Sequence, residues 1–505
     1  MLHIGFAELR FMSLESNWVI SFLLQNLMIE RNIMKKISFF KIPILDIVKI
    51  PNSSNYNVYM FKIPFLSIRS KNNCINVNFL LLQRFWAKIK PKITSFRKSC
   101  ANYKYRKKLR IKYKKGKLKI CLLAVARPNM CIFDYIYKAL EKNGKFEIFI
   151  VIPPDPAYEY TMMCKYAKEV YDELSSKGYN PIMGYDFATK KNIDLRKTIN
   201  PDIIFYSDFH KMHFHKDFYI TNFLDKVTVL NDYGFSVMQE EKTVNFELNN
   251  TVDMYFRPTT IHMKMAAELM ENKGRNTVLV NGSPKLDAIF DKNHIFKDVW
   301  KIQPKIKKRI IWAPHHSDGH PKDMYQYNAF YELYDFMFEL ALKFKDEIQI
   351  AFRPHPVLES KLVLKWGKEK QLAYYTKWGN LENGQYYPGD FLDLFVFSDA
   401  MIMDSCSFMG EYTVINKPLF HTVGSTTRIK LNDFGKEIYK FCYKTEQNLK
   451  QDIEKFIKEV VLGGKDVYKT PREEFIQRYY ISKDGKNASE SIVDNLVNYI
   501  EKGGL

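Results

Sequence analysis

The chain has 505 residues, of which 46% are hydrophobic and 15% aromatic, so its length fits two or three domains and its composition excludes a disordered protein. It contains no run of 18 or more apolar residues, and we therefore expect no segment to span a bilayer. Its seven cysteines are odd in number and show no CxxC spacing, which argues against a disulfide framework or a zinc site and favours a reducing compartment.

Most of the net charge of +21 belongs to one segment. Residues 84–119 contain 16 Lys or Arg and no Asp or Glu, which leaves +5 for the remainder of the chain. Aromatic residues such as Trp86 and Tyr103 are interleaved among these cations, and this mixture suits a bilayer interface with anionic lipid. The same mixture can bind nucleic acid through phosphates and base stacking, or form a solvated linker. We favour an anionic membrane surface as the partner of residues 84–119 and expect no nucleic acid.

The N-terminal region differs from the rest of the chain in its sequence pattern. Met34-Lys35-Lys36 looks like a natural start, so residues 1–33 are either an extension or a mis-called start. The motif Phe40-Lys41-Ile42-Pro43 recurs at 61–64 within short β-rich runs that proline interrupts, which predicts paired β-hairpins.

Beyond the basic segment, buried-strand runs alternate with helical patterns. Runs at 118–126 and 146–153 open a first series, and a second series begins at Arg309 after a Lys-rich linker between Ala288 and Lys308. This alternation predicts parallel sheets with helices on both faces. We therefore expect an α/β, GT-B-like fold, in which two Rossmann-like parallel-sheet domains face a cleft, with a small β-rich and basic N-terminal extension.

The domain organisation follows from these shifts in pattern. The predicted parts are the extension 1–33, a β-hairpin repeat region 34–83, a basic membrane tether 84–117, an acceptor-side Rossmann-like domain 118–300, a donor nucleotide-binding Rossmann-like domain 301–480 and a C-terminal helix 481–505.

Three strands of the second series end in unusual polar residues, and in a parallel sheet their turns would lie on one edge, where ligands bind. An Arg beside a His offers a charge-assisted clamp for a phosphate and a group that transfers protons near neutral pH. Free N–H groups at a helix start also suit a phosphate. The candidate residues are His315, His316 and Ser317 in the first turn, Arg353 and His355 in the second, Asp404, Ser405, Cys406 and Ser407 in the third and, one helical turn further, Glu411.

These stretches resemble a known family. In order and spacing, IIWAPHHS, FRPHP, SDAMIMDSCSFMGEYTVINKPLF and the later DGKNASESIV are similar to the CDP-glycerol glycerophosphotransferases, which include teichoic-acid primases and polymerases and capsule transferases of bacteria. The family's Arg-x-His-Pro matches 353–356. Its Gly-x-Pro-Arg-x-Asp matches Gly282, Pro284, Lys285 and Asp287, with Lys in place of Arg. Its closing Asp-Gly-x-Ala-Ser matches 484–489 with one residue inserted.

One motif of the family is absent. The family commonly carries a His-Gly-x-Pro motif in the first half, whose His is taken as a catalytic base. The corresponding stretch here is Asn231-Asp232-Tyr233-Gly234-Phe235, which has no His. Either Asp232 is the catalytic base instead, or the site is adapted to a different acceptor.

The resemblance implies phosphoryl transfer, in which an acceptor hydroxyl attacks the polyol-side phosphorus of a CDP-polyol and CMP leaves. It implies that Arg353 and the N–H groups near Cys406 and Ser407 bind the diphosphate. His355 would donate to phosphate oxygens or relay a proton. Asp404 and Glu411 would hold polyol or ribose hydroxyls, and the donor site would also include the first turn, Gly282 and Lys285. We expect no metal and no cofactor, because no DxD-type motif stands in the right place.

The expected function is therefore transfer of a polyol phosphate from a CDP-activated donor to a hydroxyl of a surface glycan or lipid-linked acceptor, at the cytoplasmic face of the plasma membrane. Two alternatives stay open. The chain could be a GT-B glycosyltransferase that uses a sugar nucleotide in capsule or lipopolysaccharide synthesis, or a non-catalytic scaffold at the membrane surface.

Overall fold

The structure, a computed structural model, falls into two compact units, Met1–Thr94 and Ser95–Leu505, which are described separately. The predicted extension 1–33, the first part of the basic segment (residues 84–104), and Ser405 and Cys406 lie outside the described residues. The described residues are 37–39, 42–49, 56–60, 63–71, 74–78, 105–125, 131–232, 234–239, 243–270, 277–317, 326–327, 329–404, 407–482 and 484–502.

The first unit contains an antiparallel sheet whose five strands pair in chain order. Each copy of the repeated Ile-Pro dipeptide starts a strand, at 42–43 and at 63–64, and the partner strand shifts register beside each proline. Proline cannot donate to a ladder, so strand starts and irregular positions are where a sheet tolerates it. The strands are β1 (Ile37–Phe39), β2 (Ile42–Lys49), β3 (Tyr56–Met60), β4 (Ile63–Lys71) and β5 (Cys74–Asn78).

The second unit begins with a parallel sheet of seven strands in the order β14-β13-β12-β11-β6-β7-β8. Its strands are β6 (Leu118–Leu123), β7 (Phe146–Ile152), β8 (Ile182–Met183), β11 (Ile203–Tyr206), β12 (Val227–Asn231), β13 (Met254–Arg257) and β14 (Thr277–Val280), and a small separate ladder pairs β9 (Tyr185–Asp186) with β10 (Lys191–Asn192). Alternate residues of β6 enter different cores, since Ile120 and Leu122 belong to one cluster and Cys121 and Leu123 to another. Burial on both faces explains the continuous apolar runs.

A second parallel sheet has six strands in the order β17-β16-β15-β18-β19-β20. Its strands are β15 (Lys308–Ala313), β16 (Ile348–Phe352), β17 (Gly384–Tyr386), β18 (Ala400–Met403), β19 (Leu419–His421) and β20 (Tyr443–Lys444). Ile310 and Trp312 of β15 pack on one face, and Ile311 and Ala313 pack on the other. The prediction of two parallel α/β sheets is confirmed.

Helices cover both sheets. They are α1 (105–115), α2 (Cys131–Asn143), α3 (Tyr160–Ser176), α4 (Leu195–Thr198), α5 (Thr260–Leu269), α6 (Asp287–Phe290), α7 (Phe330–Lys343), α8 (Pro356–Trp366), α9 (Lys368–Asn380), α10 (Phe391–Val396), α11 (Ser407–Thr413), α12 (Asp433–Tyr439), α13 (Leu449–Lys455), α14 (Lys469–Tyr479) and α15 (Ala488–Lys502). Short 3₁₀ turns occupy Lys211–His213, Lys216–Phe218, Ile220–Asn222 and Pro284–Leu286, and a π-helical turn occupies Phe456–Leu462. Within the described part of the chain, every helix falls short of the length and hydrophobicity that crossing a bilayer needs.

Helix α1, which contains much of the basic segment, is part of the folded second unit. Leu109 and Tyr113, one helical turn apart, are buried in the core of the first parallel sheet. Arg106 forms an ion pair with Asp253 at 3.0 Å, which fixes the same face of the helix. The predicted tether of 84–117 therefore does not run free to residue 117, because its part from 105 onwards is docked on the first parallel sheet.

The loop that follows β12 joins the two parallel sheets. The Val237 carbonyl accepts a hydrogen bond from the Asn432 N–H at 3.0 Å, and the Phe235 and Phe434 rings stack at 5.7 Å. Gly234 lies so close to α11, which follows β18, that a Cβ added there would come within 2.9 Å of Glu411 Oε1. The loops at the carboxyl ends of the two sheets therefore meet, as in a cleft between facing domains.

Candidate functional site

The three predicted turns lie side by side on one edge of the second sheet. Strands β16, β15 and β18 are neighbours, and their registers bring the turns after Ala313, Phe352 and Met403 to the same level. As a result three imidazole rings form a cluster. The centroid of His355 lies 5.0 Å from that of His315 and 4.5 Å from that of His316, and the latter two lie 4.0 Å apart.

Backbone contacts fix the tautomers of two of these histidines. His355 is the N-cap of α8, and its Nδ1 accepts a hydrogen bond from the Val357 N–H at 3.2 Å. In the same way His315 Nδ1 accepts from the Ser317 N–H at 3.1 Å. A neutral imidazole has one N–H, so a ring that accepts at Nδ1 carries its hydrogen on Nε2. Both rings therefore present N–H donors, which suits an anion and is unsuited to a metal ion at Nε2.

Burial keeps both imidazoles uncharged. It lowers the pKa of His315 to about 2, with further lowering by nearby His316, His355 and Lys361. It lowers the pKa of His355 to about 3, again with a contribution from His316 and from the Arg353 charge. At neutral pH the two rings are consequently neutral hydrogen-bond donors rather than cations.

Arg353 supplies the positive charge of the site. Its guanidinium donates to the carbonyls of Pro354 at 3.3 Å and Gly389 at 3.2 Å, and lies 6.0 Å from the centre of the Phe408 ring. Burial lowers the pKa of this guanidinium, although nearby Tyr386 and Asp390 oppose the change. Among the described residues no carboxylate comes within ion-pair distance of it. A partly buried charge without a carboxylate partner calls for an anionic ligand.

Asp404 fixes the backbone of the turn that contains His315. Its two carboxylate oxygens accept hydrogen bonds from the backbone N–H groups of His315 at 2.5 Å and Ala329 at 3.3 Å. Full burial raises the pKa of this carboxyl to about 7, against the effect of these bonds. The contacts make Asp404 a positioning residue for the histidine turn, and they differ from the expected contact with ligand hydroxyls.

The third turn is only partly described. Helix α11 begins at Ser407, and the expected phosphate contacts of Ser405, Cys406 and Ser407 stay predictions. Further along α11, Glu411 is buried, and burial raises its pKa to about 7 while the Lys285 charge opposes the rise. Its Oε2 has no hydrogen-bond partner within the described residues. A buried carboxylate oxygen of this kind is suited to a hydroxyl donor.

Two members of the Gly-x-Pro-Lys-x-Asp motif have structural roles. Gly282 has a φ of +80°, in the left-handed region, and a Cβ there would lie 3.2 Å from the Ala488 Cβ. Asp287 accepts hydrogen bonds from the N–H groups of Ala488 at 2.8 Å and Ser489 at 2.9 Å. Gly282 is therefore placed against the start of α15 and not among the histidines. Lys285 is buried and faces Glu411, so it lies at the edge of the site.

The contacts of Asp232 argue against its predicted role as catalytic base. Its Oδ2 forms an ion pair with Arg257 at 2.8 Å, and its Oδ1 accepts a hydrogen bond from the Tyr255 hydroxyl at 2.8 Å. An adjacent cation and a donated hydrogen bond both stabilise the ionised carboxylate. A carboxylate held in this way is a weak proton acceptor.

A second group of polar residues was missed by sequence reasoning. Asp208, His210 and His213 follow β11, and Asp155 follows β7, at the carboxyl edge of the first sheet. The available signal was the position of both aspartates just after buried strands, but His213 and Asp155 are 58 residues apart in sequence. Of the described residues, two sets have ligand atoms close enough together to hold a metal ion, one formed by Asp208, His210 and His213 and the other by His315, His316 and His355.

The two facing parallel sheets, with a polar site at their carboxyl ends, define this chain as an α/β protein of the GT-B type. Comparison with solved structures gives the same fold. A variant of the wall teichoic acid polymerase TagF matches with a TM-score of 0.50 and 14% identity, over 81% of this chain and 98% of that one. MnaA of S. aureus, in a structure with UDP, matches with a TM-score of 0.50 and 16% identity, over 76% of this chain and 97% of that one. At such identities the likeness concerns the fold alone.

Sequence comparison identifies the family. The model of the family described as CDP-Glycerol:Poly(glycerophosphate) glycerophosphotransferase matches residues 193–498, more than half of the chain. The teichoic acid poly(ribitol-phosphate) polymerase of Bacillus spizizenii is 24% identical over 227 residues, which are 44% of this chain. The match spans 33% of that relative's length. The chain belongs to the CDP-glycerol glycerophosphotransferase family, and the resemblance that its motifs indicated is confirmed.

Proposed function

We propose that this chain transfers a polyol phosphate, such as glycerol phosphate, from a CDP-activated donor to a hydroxyl of a lipid-linked or cell-surface glycan acceptor, and releases CMP. Family membership and the similarity to a teichoic acid polymerase support the class of donor and of acceptor. The observation that carries the proposal is the Arg353 guanidinium, which lacks a carboxylate partner among the described residues and lies in the same turn as the imidazole donor of His355.

The chemistry of the transfer matches these groups. The acceptor oxygen bonds to the phosphorus that carries the polyol, the bond from this phosphorus to the CMP oxygen breaks, and the hydroxyl proton passes to a base. Charge on the diphosphate oxygens must be stabilised as CMP leaves, and donors fixed in advance do this best. Arg353 supplies a full charge, whereas His315 and His355 supply neutral N–H groups that burial holds in place.

Other members of the site bind the remainder of the donor. The N–H groups around Cys406 and Ser407 complete the diphosphate contact, and Glu411 accepts a hydroxyl of the ribose or polyol. Lys285 faces Glu411 and favours its ionised form, which is the better acceptor. Asp404 keeps the turn of His315 in register without touching the donor.

Because a lipid-linked acceptor lies in the membrane, the chain acts at the cytoplasmic face of the plasma membrane. The outward face of α1 supports this part of the proposal, because its cationic residues and Ile111, which is 50% exposed, form a basic surface with an apolar centre. The exposed cations of this face are Lys107, Lys108, Arg110, Lys114 and Lys115, whereas Lys112 pairs with Asp202. Such a surface binds anionic lipid by charge and by shallow insertion of an apolar side chain.

A screen of purified full-length protein against activated donors tests the proposal. CDP-glycerol, CDP-ribitol and UDP-sugars are supplied one at a time with a lipid-linked acceptor, and the released nucleotide is measured. We expect CMP from a CDP-polyol. Turnover of a UDP-sugar with no reaction of the CDP-polyols would contradict the proposal in favour of a glycosyltransferase. Lack of any turnover, together with a cellular phenotype that survives His355→Asn, would favour a scaffold.

A further inference from the structure

Two aspartate–histidine pairs lie at the carboxyl edge of the first sheet. His213 Nδ1 lies 2.8 Å from Asp155 Oδ2, and His210 Nδ1 lies 2.8 Å from Asp208 Oδ1. Both carboxylates are buried, with 7% exposure for Asp155 and 3% for Asp208. The two imidazole rings are perpendicular, and their centroids lie 5.8 Å apart. The pairs join the turns after β7 and β11, which are separated in the sheet by β6 alone.

The imidazoles of His210 and His213 carry their hydrogen on the opposite ring nitrogen from those of His315 and His355. A carboxylate accepts hydrogen bonds, so each ring donates from Nδ1 and keeps the lone pair on Nε2. His315 and His355 instead accept at Nδ1 and donate from Nε2. The turns after β15 and β16 therefore offer hydrogen-bond donors to an anion, and the turn after β11 offers a proton acceptor.

The position of the pairs fits attack by an acceptor hydroxyl. Strand β11 lies next to β12, whose loop contacts α11 of the donor side through Gly234 and Glu411. Asp232, which follows β12, is engaged by Arg257 and Tyr255. Of the described residues in the stretch that corresponds to the family motif, none is therefore a suitable base, and an oriented histidine follows the neighbouring strand β11.

We propose that His213, oriented by Asp155, is the catalytic base that accepts the acceptor's hydroxyl proton. This inference rests on the proposed function. The O–H bond of the acceptor breaks as its oxygen bonds to phosphorus, the proton moves to Nε2 of His213, and the bond from phosphorus to CMP breaks with its electron pair on the CMP oxygen. Asp155 is a positioning residue, and it stabilises the imidazolium that forms.

The contacts distinguish His213 from its neighbour. Asp155 Oδ2 faces the His213 ring while Oδ1 accepts the Ala157 N–H at 2.9 Å. Asp208 Oδ1 accepts hydrogen bonds from both the ring and the backbone N–H of His210, the latter at 2.7 Å. These contacts lie within one turn of the chain, so this pair is local. The hydrogen bond that His213 donates to Asp155 raises the pKa of His213, burial opposes the rise, and the charges of Asp208 and Asp155 add to it. The titratable groups that face His213 are Asp155 from the β7 turn and Asp208 and His210 from the β11 turn.

Kinetics of full-length variants test the inference. For His213→Gln we expect kcat to fall about 100-fold, the size of a typical acid–base contribution, with little change in the donor KM. For Asp155→Asn we expect a smaller loss and an acidic limb of kcat/KM that moves to lower pH, since the hydrogen bond that raises the pKa is weakened. His215→Gln is the matched control, because His215 also lies beside an aspartate, Asp217 at 3.2 Å, but on the surface. Its kcat should equal that of the wild type.

A measurement that needs no turnover keeps the inference separate from the proposed function. In ¹⁵N-histidine spectra, with His213 assigned from the His213→Gln protein, we expect the Nδ1–H tautomer and a pKa above 6.5 that falls in Asp155→Asn. An Nε2–H tautomer, or wild-type kcat in an active His213→Gln enzyme, would overturn the inference. Loss of activity in EDTA that Zn²⁺ or Mn²⁺ restores, with a shift of the His213 signals, would overturn it in favour of a metal site. Absence of CMP release from every CDP-polyol would refute the proposed function, while the tautomer would still decide whether His213 is a prepared proton acceptor.

Discussion

The carboxylate of Asp287 accepts the backbone N–H of Ser489 at 2.9 Å, and so joins two motifs that lie about 200 residues apart. Asp287 also accepts the N–H of Ala488, which makes it the cap of α15 although it belongs to a different helix. The buried carboxylate thus satisfies N–H groups that would otherwise lack partners at the start of that helix. Both motifs are structural in this respect, and they fasten α15 to the junction between the two sheets.

Burial raises the pKa of Asp287 to about 6, which makes its contribution to stability depend on pH. Because the folded pKa lies above the unfolded one, the contribution is full below pH 4 and is lost as the pH rises through about 6. We expect the free energy of unfolding of the wild type, relative to Asp287→Asn, to decrease from pH 4 to pH 7. Urea titrations of both proteins measure it. The control is Asp291→Asn, because the pKa of Asp291 is lowered and its difference from wild type should stay constant between pH 5 and 7. A flat Asp287 difference would contradict the prediction.

Replacing Arg353 by lysine should weaken donor binding. Lysine keeps the charge but loses the planar fork that can contact a phosphate while donating to the Pro354 and Gly389 carbonyls. We expect the Kd for CMP and for CDP-glycerol to rise by about tenfold, on the order of one charge-assisted hydrogen bond. Calorimetry with both ligands measures this. Arg309→Lys is the control, since Arg309 lies near the amino end of β15 and pairs with Asp298. Equal affinities of the Arg353→Lys and wild-type proteins would refute the anion-binding role.

Two substitutions of His355 separate its structural role from its binding role. Asparagine can still cap α8 through its side-chain oxygen, whereas alanine cannot, so His355→Ala should lose about 1 kcal/mol more stability than His355→Asn. Both variants lack the Nε2–H group and should lose donor affinity to the same extent. Thermal unfolding and CMP titrations give the two readouts. If His355→Asn binds CMP as tightly as the wild type, His355 is a cap and nothing more.

The stability of the fold should respond to acid in a defined direction. The folded pKa values of His315 and His355 are depressed to about 2 and about 3, so their contribution to stability is present above pH 6.5 and is lost as the pH falls below it. We therefore expect stability to drop from pH 6.5 to pH 4, and less steeply in a His355→Asn protein. Urea midpoints over this range are the measurement. Parallel curves for the two proteins would show that folding does not depress the pKa of His355.

The outward face of α1 should contribute to binding of anionic vesicles. We expect the combined reversal of Lys107, Lys108 and Lys115 to glutamate to weaken co-sedimentation with phosphatidylserine vesicles, and salt to weaken it further. Arg106→Ala is the matched control, because Arg106 pairs with Asp253 and its loss should lower stability without reducing vesicle binding. Unchanged sedimentation of the triple variant would show that α1 does not contribute to vesicle binding.

Much of the fold and part of the site could be predicted from local pattern. The strands of both sheets are apolar runs, and parallel order brings the turns of His315, His355 and Asp404 to one edge whatever the details of packing. The identity of the residues in those turns then sufficed to predict that they bind an anion. These features depend on short segments and on one rule of topology.

Contacts between distant segments could not be predicted. Asp404 looked like a ligand contact, yet its oxygens bond to N–H groups 75 and 89 residues away. Asp232 looked like a base, but Arg257 and Tyr255 from the next strand engage it. Whether a carboxylate faces a ligand or the backbone depends on side-chain packing that no periodic pattern encodes.

Helix α15 has a consequence for how the protein is made. Ile492, Leu496, Tyr499 and Ile500 are part of the core that forms around β6, β11 and β12. A ribosome synthesises those strands first and then the whole of the second sheet before residues 488–502 emerge. Domains commonly fold as they are synthesised. Here the domain of the first sheet keeps an apolar surface uncovered until the second sheet and α15 have been synthesised. Early chain release or a stop codon before residue 488 should therefore leave the domain of the first parallel sheet, rather than that of the second, as the substrate of chaperones and proteases.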